Sequence, residues 1–119
     1  SRGFIFASVL SFLSNKPLVL LRKKGKLPGK TYSEKFKLEY GFDVLEIHKS
    51  SLKKNDKVLI IDDLIATGGT ALASAKLVEK AKAKVSGFIF LINLFDLHGD
   101  RKLKSKGYKT FSLIEFPGH

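Results

Sequence analysis

Nine consecutive residues, Asp62-Asp63-Leu64-Ile65-Ala66-Thr67-Gly68-Gly69-Thr70, hold the densest chemistry in the chain. Two adjacent carboxylates are suited to accept hydrogen bonds from vicinal hydroxyls, or to hold a water-clad magnesium ion indirectly. The small residues from Ala66 to Thr70 let successive backbone amides converge on an anion, and Thr67 and Thr70 add hydroxyl donors. Diol recognition beside monophosphate recognition matches the two ends of a ribose 5-phosphate. No lysine follows the glycines, so this is not a Walker loop, and the spacing is not the dinucleotide GxGxxG pattern. The plain alternative is a strand-to-helix turn with helix-capping acids and threonines.

Position decides between these readings. Lys57 to Asp62 is a β-branched run expected to form a strand covered on both faces. Thr70 to Lys82 has helical periodicity through Leu72, Ala75, Leu77, Val78 and Ala81. The nine residues therefore lie at the carboxyl end of a strand, where open α/β sheets bind ligands. Downstream, Val85 to Leu91 is a further buried strand, Asp100 to Lys106 a short basic helix, and Thr110 to Phe116 a last strand stopped by Pro117-Gly118. Upstream, a loop at Ser1-Arg2-Gly3 leads into a buried helix from Phe4 to Leu13, and Pro17 to Leu21 forms a strand closed by Arg22-Lys23-Lys24. Gly25 to Lys37 reads as a long loop, and Lys35 to Tyr40 and Asp43 to His48 as short strands about a Gly41 turn. A polar connection, Ser50 to Asp56, completes an α/β domain with a mainly parallel sheet and no internal repeats or linker.

Composition narrows the setting. The 119 residues suffice for one modest core, and 44% apolar content argues against wholesale disorder. No apolar run approaches the roughly 20 residues of a membrane-spanning helix, and no secretory leader is expected. Cysteine is absent, which excludes disulfides and thiolate chemistry and suits a reducing compartment. The formal charge of +11 is mostly scattered lysine, with arginine only at Arg2, Arg22 and Arg101. Such a surface serves simple solvation, a polyphosphate substrate or nucleic acid, so charge alone does not choose. His48, His98 and His119 lack metal-site spacing, and no structural zinc is expected.

Val58 to Thr70 resembles the phosphoribosyl-pyrophosphate motif of the type I phosphoribosyltransferases. Its Asp-Asp-Leu-Ile-Ala-Thr-Gly-Gly-Thr form is more similar to the adenine-using branch than to the hypoxanthine-guanine or orotate members. The resemblance implies that Asp62 and Asp63 hold the ribose hydroxyls while Ala66, Thr67, Gly68, Gly69 and Thr70 wrap the 5-phosphate. It extends over essentially the whole chain. Ser1-Arg2-Gly3-Phe4 resembles the pyrophosphate-holding segment, implying contacts from Ser1 and Arg2. Arg22 and Lys26 match catalytic positions that meet pyrophosphate and neutralise it as the glycosidic bond breaks. Leu38-Glu39-Tyr40-Gly41 matches the hood near the purine, with Glu39 as general acid or base at the imidazole nitrogen and Tyr40 covering the sugar. Phe95-Asp96-Leu97 resembles a rim segment and is assigned no chemistry.

The implied architecture is the type I phosphoribosyltransferase fold, a mainly parallel sheet flanked by helices with a flexible β-hairpin hood at approximately residues 23–42. Residues 1–119 would be a single partial domain whose amino-terminal part is missing. The implied reaction joins adenine and phosphoribosyl pyrophosphate to give AMP and pyrophosphate, with magnesium carried by the substrate and no metal bound directly by the protein. A cytoplasmic homodimer serving purine salvage is expected, without membrane or nucleic-acid partners. Two other readings stay open: a non-catalytic module of this fold that senses a ligand or binds nucleic acid, and a transferase for another base.

Overall fold

The computed structural model describes residues 21–23, 29–37 and 40–117. Their elements run β1 (Leu21–Lys23), β2 (Thr31–Lys37), β3 (Phe42–His48), β4 (Lys57–Ile65), α1 (Gly69–Lys80), β5 (Lys84–Leu94), a 3-10 turn (Phe95–Leu97), α2 (Gly99–Ser105) and β6 (Thr110–Phe116). The helix expected from Phe4 to Leu13 lies outside the described residues. So does the strand expected from Pro17, except at Leu21, and Arg22 and Lys23 belong to β1 rather than closing a strand. The described residues divide into two compact units. One holds 59–68 and the residues from 86 onward; the other holds the residues up to 58 together with 69–85.

In the second of these units, β3 lies between β1 and β2 in an antiparallel sheet. The β2–β3 pairing runs from Thr31↔His48 to Lys37↔Phe42, with Tyr40 and Gly41 between the two strands. β2 thus starts four residues earlier than its sequence suggests, inside the stretch read as loop, and stops short of Tyr40. Its inward signal is weak because half-buried Tyr32, Glu34 and Phe36 alternate with exposed Ser33, Lys35 and Lys37. Pairing with β3 overrides that polar character. Tyr32, Phe36 and Leu52 pack on a core of Leu45 and Ile47 from β3 and Ala73 and Leu77 from α1. Lys80 of α1 ties down β2 as well, through an ion pair of 2.7 Å with Glu34 and a hydrogen bond donated to the Ser33 carbonyl. α1 ends where Ala83 N–H donates to the Val78 carbonyl and Lys82 N–H to the Glu79 carbonyl. This closure places Lys82 in the left-handed region, at φ 63°.

In the other unit the strand order is β4-β5-β6, and β5 runs parallel to β6 from Phe88↔Thr110 to Leu94↔Phe116. Each consecutive pair of these strands is separated in sequence by a helix, the alternation expected of an α/β fold. β4 continues three residues past Asp62, so both acids are strand residues; Ile65, only 2% exposed, fixes that extension. β5 is also longer than expected at both ends, whereas β6 has the expected bounds. Phe88 stacks on Phe90 at 5.8 Å between centroids and meets Tyr108 edge-on at 5.5 Å. Leu103 of α2 is fully buried. Among the described residues, no helix is long and apolar enough to cross a membrane.

Candidate functional site

Asp62 and Asp63 are half-buried at the carboxyl half of β4. The Asp63 N–H donates to Asp62 Oδ1 at 2.8 Å. Burial, a hydrogen bond with the Asp63 side chain and repulsion from that neighbouring carboxylate together push the Asp62 carboxyl up from 3.8 to about 6. The backbone hydrogen bond opposes the rise without cancelling it. A carboxyl raised mainly by burial is lowered again by a ligand offering hydroxyl donors or positive charge.

The segment after them is shaped by close backbone approach. Gly68 is buried with φ +91°, and a Cβ on it would lie 3.2 Å from both the Cα and the carbonyl oxygen of Gly99. Gly99 is tighter still: a Cβ there would lie 2.3 Å from the Ala66 oxygen, 2.8 Å from Gly68 N and 2.8 Å from Ile65 Cγ1. The Gly99 N–H donates to the Ala66 carbonyl at 3.0 Å. Thr67 is exposed.

Gly69 and Thr70 open α1, as expected. The first turn of α1 contains no acidic residue, so its positive end is not neutralised by acids of its own first turn. The exposed Thr70 lends its carbonyl to the Ser74 hydroxyl at 2.9 Å. Among the described residues, no cluster of three or more His, Asp or Glu side chains could cage a metal ion.

The remaining expected site residues are less completely placed. Tyr40 stands at the hairpin tip with 87% of its surface exposed, followed by Gly41 at φ +85°. The backbone of Arg22 pairs with that of Glu46 in the β1–β3 ladder. Ser1, Arg2, Lys26 and Glu39 lie outside the described residues. One unit therefore brings together Asp62, Asp63, Ala66, Thr67 and Gly68; the other carries Gly69, Thr70 and Tyr40.

Two residues escape the sequence reading. Gly99 precedes the expected basic helix, and the only available signal is a glycine at its threshold. Asn93 is 2% exposed on β5, and its Oδ1 has no hydrogen-bond partner. Its only signal is a polar residue among apolar ones, and it falls beyond Leu91, where the sequence places the end of the strand.

Residues 1–118 match the phosphoribosyl transferase domain family. The chain is 60% identical over 119 residues to the adenine phosphoribosyltransferase of Pelagibacter ubique (strain HTCC1062), an alignment covering 100% of this chain and 68% of that protein. It resembles the crystal structure of adenine phosphoribosyltransferase from Thermoanaerobacter pseudethanolicus with a TM-score of 0.92 and 48% identity, covering 98% of this chain and 66% of that one. The Saccharomyces cerevisiae adenine phosphoribosyltransferase, complexed with an imino-altritol bisphosphate and adenine, is similar with a TM-score of 0.89 and 39% identity over 95% of this chain and 62% of that one. The chain thus spans about two thirds of the length of the first two of these relatives.

Proposed function

We propose, from the premise that this chain belongs to the phosphoribosyl transferase family, that it carries the sugar-phosphate half of an enzyme making AMP and pyrophosphate from adenine and phosphoribosyl pyrophosphate. The observation that carries the reading is the order of groups along one segment. A half-buried pair of acids, with the Asp62 carboxyl raised mainly by burial, comes first, then a glycine turn, then a helix start free of acids. The names of the similar proteins add adenine as the base.

On this reading Asp62 and Asp63 accept hydrogen bonds from the ribose hydroxyls, and the amides from Ala66 to Thr70 receive the 5-phosphate. Hydroxyl donors, or the positive charge of magnesium arriving with the pyrophosphate group, would lower the Asp62 carboxyl back toward its ordinary range. Arg22, Lys26, Ser1 and Arg2 hold the pyrophosphate, whose charge grows as the bond to the anomeric carbon breaks. Their contribution is therefore greater in the transition state than in the bound substrate. Tyr40 covers the sugar when the hairpin tip closes; its present exposure leaves it free to do so. Glu39 handles the proton at the purine imidazole nitrogen. No covalent intermediate is needed, because orientation and charge stabilisation suffice.

The same reading includes a homodimer and a cytoplasmic setting. A chain without cysteine suits a reducing compartment. Sedimentation over a range of concentrations tests the dimer. The deciding experiment incubates the complete protein with phosphoribosyl pyrophosphate, magnesium and, separately, adenine, hypoxanthine, guanine, xanthine or orotate. AMP formation with adenine and little product from the others is expected. Preference for another base would overturn the adenine assignment, and no product from any would overturn the enzyme.

A further inference from the structure

We infer that Gly99 is a positioning residue for 5-phosphate recognition, acting by drawing the Ala66 carbonyl away from the anion site. This deepens the proposed function and rests on its assignment of Ala66, Thr67 and Gly68 to the phosphate. A turn that receives an anion must present N–H groups and keep its carbonyl oxygens averted, since a carbonyl oxygen repels a phosphate oxygen. Here the Ala66 carbonyl accepts the Gly99 N–H at 3.0 Å, which fixes its direction. Only glycine permits this approach, because a Cβ at position 99 would lie 2.3 Å from that same oxygen and 2.8 Å from Gly68 N. The contact is reciprocal: Gly68 in turn leaves room for the Gly99 backbone, 3.2 Å from where its own Cβ would sit.

The position of Gly99 is itself braced. His98 N–H donates to the Phe95 carbonyl at 3.3 Å, and Lys102 N–H donates to the His98 carbonyl at 3.2 Å. His98 adopts φ 60°, a left-handed conformation that histidine seldom takes, to turn the chain into α2. α2 is anchored by fully buried Leu103, whose carbonyl accepts the Tyr108 N–H at 3.1 Å. Tyr108 packs against Phe88. Packing thus runs from buried Phe88 through half-buried Tyr108 and buried Leu103 to α2, whose first residue is the buried Gly99. Gly99 touches no substrate in this arrangement. It acts through the turn.

Titration of the full chain with ribose 5-phosphate, followed calorimetrically, tests the inference. Gly99→Ala should weaken binding by roughly 10- to 100-fold, the penalty of displacing recognition groups by an ångström or so. Ile47→Ala, in the core of the other compact unit, serves as the control: it destabilises the chain, but its binding at a temperature where it is folded should stay within about threefold of the parent. In the complete protein, Gly99→Ala should raise KM for phosphoribosyl pyrophosphate far more than KM for adenine. Equal binding by the parent and Gly99→Ala would overturn the clasp while leaving the proposed function intact. No binding by the parent would overturn both. A readout on the unaltered chain covers a Gly99→Ala variant that does not fold. Hydrogen exchange at the Gly99 amide should slow at least about fivefold when ribose 5-phosphate is bound, and an unchanged rate with ligand bound would overturn the inference.

Discussion

Gly68 and Gly41 share a left-handed backbone, at φ +91° and +85°, yet their surroundings are opposite. Around Gly68 the space for a side chain is filled by the Gly99 backbone, while around Gly41, among the described residues beyond its chain neighbours, no atom lies within 4 Å of where a Cβ would be. The neighbours follow suit. Asp62 and Asp63 are half-buried on a strand, whereas Tyr40 is 87% exposed at a hairpin tip. The difference fits a division of labour in which one region keeps a fixed shape for recognition and the other keeps freedom to close. Rigid groups lower the reorganisation needed when charge develops, and open ones admit substrate and release product.

That contrast can be broken at several places. Replacing both acids, Asp62→Asn with Asp63→Asn, should lower AMP formation by about 10³-fold in a steady-state assay, because the fixed region loses its diol acceptors. Glu39→Gln beside the open tip should lower turnover by about 10²-fold with little change in KM for phosphoribosyl pyrophosphate. Two alanine variants measure the contrast directly by urea unfolding. Gly68→Ala combines backbone strain with a crowded site and should destabilise by about 2–3 kcal/mol, while Gly41→Ala bears strain alone and should lose about 1 kcal/mol. Equal losses would remove the distinction.

The smallest effect concerns pH. Between about 3.8 and about 6 the folded chain retains a proton at Asp62 that the unfolded chain has released. That group therefore favours folding at low pH, and its contribution is lost as pH rises through about 6. Asp62→Asn should remove this dependence and stabilise the unliganded chain at pH 7 by about 1 kcal/mol after solvent screening, while impairing sugar binding. A variant less stable at pH 7 than the parent would show that the carboxyl is not raised by burial.

Much of this arrangement is legible from local pattern. The run before Asp62, the periodicity behind Thr70 and the alternation from Thr110 to Phe116 are signals carried within a few residues, and each matches an element of the structure. What could not be read depends on distant pairing. Thr31 to Ser33 resemble a loop until β3 supplies their ladder partners, Ile47 among them. Leu64 and Ile65 look like the beginning of a turn, although burial of Ile65 keeps them in the strand. Gly99 is the extreme case: its importance comes from an atom it lacks, facing a carbonyl thirty-three positions earlier, and no spacing rule within the helix announces that. Sequence also showed two neighbouring acids without showing that burial would raise one of them.

The close of α1 offers a handle for thermostabilisation. A lysine occupies the left-handed position at Lys82, where helices usually place glycine or asparagine. Lys82→Gly should relieve the local backbone penalty and gain about 0.5–1 kcal/mol in melting experiments, after allowing for the greater freedom of glycine in the unfolded chain. It would also trim one positive charge from a protein that carries an excess of eleven.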